Sequence, residues 1–494
     1  MIENLLEALS LFLTFQNISI VFLGVLIGTV IGAIPGMTTP MGVALALPFT
    51  FTMPPVTGIL LLLGIYKGGL YGGSITAILI KAPGTPAASC TVMDGFPLTQ
   101  KGQARKALDM ALYASCFADF ISNLSLILLA GLLAEFALKF GPPEFFTLIV
   151  FSLTIIAGVS GDNLLKGLVS ACAGLLLATI GLDMVYGTNR FIFDNWNLMG
   201  GLNFIPVLIG LFALPEIIHY FSKKHSAHLQ SVFMSGVGVS WGEFKASFRT
   251  IFKGSLIGVC LGTIPGIGGA PAAFLSYSEA RRTSKNPGNY GKGELNGVAA
   301  AEAGNNGVAG ATMIPLLALG IPGDVITAVI LGAFMIHGLR PGPLMFVENL
   351  PLIYGLFIGI MLSSVYLFII GKFSIKAISR IAEVPNGLLY PIVLVLCLFG
   401  TFAINNSAFD VIVMLLMGCL GYGMMVFKFP APPFLIAFIL GPLLEDNFRQ
   451  SMILSEGSLG IVFRSPICWV FWGLTAFSVY FLTKSRQKQI PLQG

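Results

Sequence analysis

Apolar residues run through this chain in long unbroken stretches, not in the alternating pattern of a half-buried strand or the one-sided pattern of a surface helix. Such runs occupy 119–138, 144–160, 164–182 and 203–220, then 352–371, 388–404, 408–427, 431–445 and 467–483. About 20 apolar residues cross the hydrocarbon core of a bilayer, so these runs predict transmembrane helices, with 431–445 short enough to be only partly inserted. Four further regions are apolar but interrupted. They are 18–52, broken at "IPGMTTP"; 56–93, broken at "YKGGLYGGS" and "KAPGTP"; 254–280, broken at "IPGIGGAP"; and 294–337, broken at "LGIPGD". Gly frees the backbone and Pro removes a hydrogen-bond donor, so these regions predict helices interrupted at membrane depth.

The interruptions come in pairs. "GTVIGAIPGMTTP" at 28–40 returns as "GVCLGTIPGIGGAP" at 258–271, which points to a duplicated unit. The first repeat is then 1–220, with a hairpin at 18–52 and a broken helix at 56–93. A polar linker at 221–253 separates it from a second repeat at 254–483, with a hairpin at 254–280 and a broken helix at 294–337. A basic tail follows at 484–494. No Lys or Arg flanks the first hairpin, whereas Lys223, Lys224, Lys245, Arg249 and Lys253 precede the second and Arg281, Arg282, Lys285 and Lys292 follow it. By the positive-inside rule the first hairpin enters from outside and the second from the cytoplasm. Continuing the alternation through Lys372, Lys376 and Arg380 to Lys484, Arg486 and Lys488 predicts eleven crossings. The N-terminus is then outside, and the linker and C-terminus inside.

Composition agrees with a membrane protein. Of 494 residues 55% are hydrophobic and 10% charged, against about 25% charged in soluble domains. The continuous runs exclude a β-barrel. A net charge of +5 spread over short loops gives no nucleic-acid surface. The seven Cys lack C-x-x-C spacing and read as small buried hydrophobes, and the four His form no ligand pattern. No metal centre or organic cofactor is expected.

An inverted duplication carrying paired hairpins and broken crossings is the sequence signature of a secondary transporter. Its substrate sits near the midplane, where half-helix N-termini attract anions and unwound carbonyls hold cations. The candidate substrate residues are Gly36, Thr38 and Thr39 at one hairpin tip and Gly266, Gly268 and Gly269 at the other. Ser74, Pro83, Gly84 and Thr85, with Pro322 and Gly323, come from the broken helices. Asn305, Asn306, Asp324 and Lys81 are candidates for cation binding or charge coupling. Lys81 and Asp324 flank equivalent Pro-Gly breaks, so an ion pair between them is one expectation; separate exposure to a cavity is the other. Glu302 and Lys67 are expected to face a cavity or one another. Asp119 reads equally well as a buried helix–helix contact and is left out of the site.

These residues carry a resemblance. "GTVIGAIPG", "YGGSITAIL", "PGTPAA", "DGFPLTQKGQARKAL", "AEAGNN", "LALGIPGD" and "GAFMIHGLRPGP", in this order, make the chain similar to the TctA-like large membrane subunit of tripartite tricarboxylate transporters. The resemblance implies carboxylate import, citrate among the substrates, across the bacterial inner membrane. It implies alternating access, a cation gradient with Na+ as the coupling ion, a small membrane subunit and a periplasmic substrate-binding protein. Two positions depart from the family pattern: Lys81 stands where Asn is expected, and Ala301 where Pro is expected. The nearest alternative is a stand-alone organic-anion transporter of the same fold. An intramembrane aspartyl protease would need a second aspartate matching Asp324, and the equivalent residue is Thr85. A structural scaffold would not need four broken segments.

Overall fold

The computed structural model describes residues 2–159, 163–183, 186–222, 237–381 and 386–487. The first part of the chain forms α1 (Ile2–Phe12), α2 (Phe15–Gly32), α3 (Thr39–Thr50), α4 (Pro55–Ile80), α5 (Ala88–Gln100) and α6 (Ala104–Ala137). Then come α7 (Pro142–Val159), α8 (Leu164–Ala178), α9 (Phe204–Phe212) and α10 (Leu214–Ser222). The second part holds α11 (Trp241–Gly262), α12 (Gly269–Thr283), α13 (Leu295–Asn306), α14 (Val308–Ala311), α15 (Met313–Leu319) and α16 (Val325–Ile336). It ends with α17 (Met345–Glu348), α18 (Leu350–Ile381), α19 (Asn386–Asn405), α20 (Ala408–Val426), α21 (Ala431–Leu454) and α22 (Pro466–Gln487). Among the described residues the only sheet is one antiparallel pair of two-residue strands, Gly181–Leu182 and Asn189–Arg190. Among the described residues seven helical segments are long and apolar enough to cross a bilayer. The protein is an all-α, multi-pass membrane protein.

The uninterrupted apolar runs are helical over most of their described length: 164–182 leaves the helix after Ala178 and ends in the strand Gly181–Leu182, 203–220 is divided into α9 and α10, and 431–445 is the first part of the longer α21. The linker is shorter than its composition implies. Ser240 and Glu243 form a capping box that starts α11 at Trp241, so residues 241–253 are helix. Residues 223–236, with Lys223 and Lys224, and residues 488–494, with Lys488, lie outside the described residues.

The chain forms two compact units. One comprises Met1–Ala134, Glu216–Ile264 and Gly268–Gly400; the other Glu135–Pro215, Pro265–Ile267 and Thr401–Gly494. In the first, α2 lies against α4 at backbone contact. A Cβ on Gly24, Gly28 or Gly32 would stand 2.6, 2.2 or 2.5 Å from the carbonyl oxygens of Leu61, Ile65 and Gly69. Gly64, Gly68 and Gly72 return the contact. This corrects the sequence reading at "YKGGLYGGS": α4 runs unbroken from Pro55 to Ile80, and its glycines are small-residue packing between membrane helices, not a break. The same interface recurs 230 residues on, where Gly254, Gly258 and Gly262 of α11 meet Ala303, Gly307 and Ala311. The duplicated G-x-x-x-G therefore serves packing, and only the I-P-G that follows it turns the chain.

α6 presents Phe120, Leu124 and Leu128 outward at a four-residue spacing, a stripe suited to lipid. Its other side reaches inward, where Ser122 donates to the Gly307 carbonyl at 2.6 Å and accepts the amides of Gly310 and Ala311 at 2.9 Å. That hydroxyl satisfies the backbone where α13 gives way to α14. In the second unit α21 packs on α7 and α8, and α9 on α20. Arg449 holds Asp183 through two bonds of 3.0 and 2.9 Å. The seven Cys are free, and Cys172, Cys260 and Cys419 are exposed on helix surfaces, contrary to the expectation that all are buried.

Candidate functional site

Each break is one helix ending and another beginning, and the two copies are built alike. Gly36 and Gly266 turn the hairpins at φ 86° and 85°, the left-handed region that favours glycine. In the broken helices Lys81 and Gly320 stand at equivalent left-handed C-caps, with φ 59° and 72°. Gly84 packs on the Cα of Gly73 at 2.8 Å, measured from an added Cβ, and Gly323 on that of Thr312 at 2.7 Å. Thr85 then accepts the Ala88 amide at 3.2 Å, and Asp324 accepts the Thr327 amide at 2.8 Å. Asp324 is the N-cap of α16, whereas Thr85 stands in the turn three residues before α5, and only Asp324 is charged.

In the first unit the four half-helices that follow the breaks start beside one another. Thr39, at the start of α3, lies on Gly69 of α4; Thr85 lies on Gly73; and Asp324 accepts a 3.0 Å bond from the Tyr66 hydroxyl. Residues 66, 69 and 73 share one face of α4 and span roughly 10 Å along its axis. The start of α12 closes the group. A Cβ on Gly268 would be 3.6 Å from Asp324 Cβ, and one on Gly269 would be 2.6 Å from Asn305 Oδ1 and 3.6 Å from Ala87 Cβ. Four helix N-termini in one place concentrate unpaired N–H groups and positive dipole ends.

Two side chains there have polar atoms with no hydrogen-bond partner among the described residues. They are Thr39 Oγ1 and both amide atoms of Asn305, and both residues are 0% exposed. Burying an amide without partners costs on the order of 1–3 kcal/mol, so these are the groups a ligand would satisfy. The other candidates are engaged. Thr38 caps α3 through Met41 N at 3.4 Å. Ser74 donates to Glu302 at 2.5 Å, and Asn306 donates to Ser115 at 2.8 Å and to Glu302 at 3.3 Å. Thr91 and Ser115 complete the shell of Glu302, a fully buried carboxylate held by four neutral donors. Pro322 and Gly323 are buried and Pro83 is exposed. Gly266 packs against Ile156 within the second unit, where a Cβ would come within 2.2 Å.

Of the two arrangements open to Lys81 and Asp324, the ion pair does not form. Lys81 is exposed, its ammonium 6.0 Å from the centre of the Phe96 ring, while Asp324 bonds Tyr66 and Thr327. The C-cap geometry gives the reason: position 81 needs a residue that tolerates positive φ, a requirement met by Gly and Asn and borne by this Lys. Lys67 and Asp119 pair with each other instead. The Lys67 Nζ is 2.9 Å from Asp119 Oδ1, with Lys67 2% and Asp119 1% exposed. Asn123 accepts from the same ammonium at 2.6 Å, and Ser364 donates to Asp119 at 2.5 Å. Asp119 was legible as a buried helix contact; its partner was not, because nothing in the spacing joins residues 52 apart.

The model of the tripartite tricarboxylate transporter TctA family matches residues 18–436. The chain belongs to the TctA family. A 52.8 kDa protein of Agrobacterium vitis, designated by its position 3' of ttuC' in the TAR-I region, is 36% identical over 467 residues, covering 94% of this chain and 93% of its own. A second Agrobacterium vitis protein, from the TAR-II ttuC' 3' region, is 36% identical over 217 residues, covering 44% of this chain and 90% of its own. No solved structure matches. As a TctA family member the protein is the large membrane subunit of a tripartite tricarboxylate transporter system, and not an enzyme.

Proposed function

We propose that this subunit imports a carboxylate with a cation, Na+ being the expected ion, by alternating access across the bacterial inner membrane. A periplasmic binding protein delivers the substrate and a small membrane subunit completes the complex. The two copies run in opposite orientations, with the N-terminus periplasmic and the C-terminus cytoplasmic. The observation that carries this reading is the meeting of four helix N-termini around Thr39 and Asn305, whose side-chain polar atoms lack partners among the described residues. N-termini bind carboxylate oxygens through free amides. Asp324 lies at the same place without an ammonium partner among the described residues, so a bound carboxylate would be repelled unless a cation came with it. That requirement couples the two.

Asn305→Ala tests the reading because its two effects have opposite signs. Removing an unpartnered buried amide should leave the ligand-free protein as stable or more stable. Uptake of labelled citrate into proteoliposomes supplied with the binding protein should fall at least about tenfold, one lost hydrogen-bonded group being worth about that factor. Uptake close to wild type, or a fall in stability matching the fall in uptake, would reduce Asn305 to a packing residue.

A further inference from the structure

The second hairpin carries a feature the first lacks. Between hairpin and broken helix the first repeat has only residues 51–54, whereas the second has 284–294. The longer loop folds back over the base of the hairpin, far along both arms from the tip. Together with α11 and α12 it encloses a cavity of about 430 Å³. Arg249 and Lys253 line it from α11, Glu279 from α12 and Lys285 from the loop. Their formal charges sum to +2. Glu279 pairs with Lys253 at 3.7 Å and with Arg282 at 2.8 Å. Arg249 and Lys285 have no ion pair among the described residues. The floor is polar and closed: Ser276, 2% exposed, donates to the Ala300 carbonyl at 2.6 Å, and Asn296 Oδ1 is buried without a partner among the described residues.

Like charges held around a concave, partly buried space repel one another until an anion enters. Arg supplies a planar fork for two oxygens, and Lys a point charge. The size and the +2 balance fit a small anion bearing two or more negative charges. We propose that the base of the second hairpin is a binding site for a multivalent oxyanion, a carboxylate or phosphate, separate from the site at the helix N-termini. The oxyanion can be a free solute or a lipid headgroup.

The test is protection of lysines from acylation in the full-length protein, read residue by residue by mass spectrometry in phosphatidylcholine nanodiscs. Millimolar citrate or inorganic phosphate should slow labelling of Lys253 and Lys285 severalfold and leave Lys484 unchanged. Arg249→Gln should raise the concentration for half-protection about tenfold. Asn305→Ala should leave protection intact, which separates this site from the proposed transport site. Protection seen only in phosphatidylglycerol nanodiscs supports the oxyanion site and assigns it to lipid. Equal labelling in every arm, or protection that survives Arg249→Gln unchanged, overturns the proposal.

Discussion

Asp119→Ala should be among the most damaging single substitutions in the first unit, and Lys67→Met should repair much of the damage. Asp119 accepts from Lys67 at 3.0 Å, Ser364 at 2.5 Å and Asn123 at 3.2 Å, in surroundings that leave it 1% exposed. Deleting it takes one acceptor from each of three donors; Asn123 keeps Ser364 Oγ at 2.7 Å, but the ammonium loses its counter-charge and keeps only Asn123 Oδ1 at 2.6 Å and the Ile360 carbonyl at 3.4 Å. Leaving one charge of a buried pair unbalanced costs about 3–5 kcal/mol, whereas replacing both charges by apolar groups is often close to neutral. Asp119→Ala combined with Lys67→Met should therefore be clearly more stable than Asp119→Ala alone. The cycle should show a coupling of about 2–4 kcal/mol, measured by reversible denaturant unfolding in lipid bicelles. Single effects that add to within about 0.5 kcal/mol would refute the idea that these groups stabilise the fold as a pair.

Two further outcomes follow from particular geometries. Lys81→Gly should raise stability by about 0.5–1 kcal/mol, because glycine removes the left-handed strain at φ 59°, and uptake should be unchanged; lost uptake in a stabilised variant would return Lys81 to the site. The Lys106 ammonium, then the Ser240 amide and hydroxyl, pull the Glu243 carboxyl down to about 2 from its ordinary 4.5. A lowered carboxyl contributes stability above its unfolded value and loses it as pH falls from about 4.5 towards 2. Hydrogen exchange at the start of α11 should quicken over that window in the wild type, and Glu243→Gln should flatten the response.

The helices were legible because a continuous apolar run of membrane length has few other structures open to it. The turns were legible too, since I-P-G and P-G demand a backbone that few sequences supply. What misled was glycine in a second role. At Gly36, positive φ makes glycine a turn residue; at Gly28 and Gly68, ordinary helical glycines let α2 and α4 touch. Both uses look alike in a row of letters, and only the partner helix tells them apart. The same holds for Lys81, whose charge drew attention when its backbone was the constraint. Thr39 and Asn305 could be named from the sequence as candidates. Their distinction from Thr38, Ser74 and Asn306 required knowing which hydrogen bonds the fold had already made.

Three carboxylates in the first unit show how the fold sorts charge. Asp119 has an ammonium and is closed off. Glu302 has four neutral donors and is closed off as well. Asp324 differs in place and access: it caps α16, takes one bond from Tyr66 and remains partly exposed beside Gly268. A coupling ion must arrive and leave, so its ligand needs access and must not already own a fixed cation. Asp119 fails the second condition and Glu302 the first. Asp324 meets both, and it stands where the second repeat departs from the first, at the position held by Thr85. In the proposed cycle the neutral Thr85 end then receives substrate oxygens, and the Asp324 end receives the ion that balances them. Asp324→Asn tests the assignment directly: uptake should persist at reduced rate with a much weaker dependence on Na+, and an unchanged Na+ dependence would move the ion elsewhere.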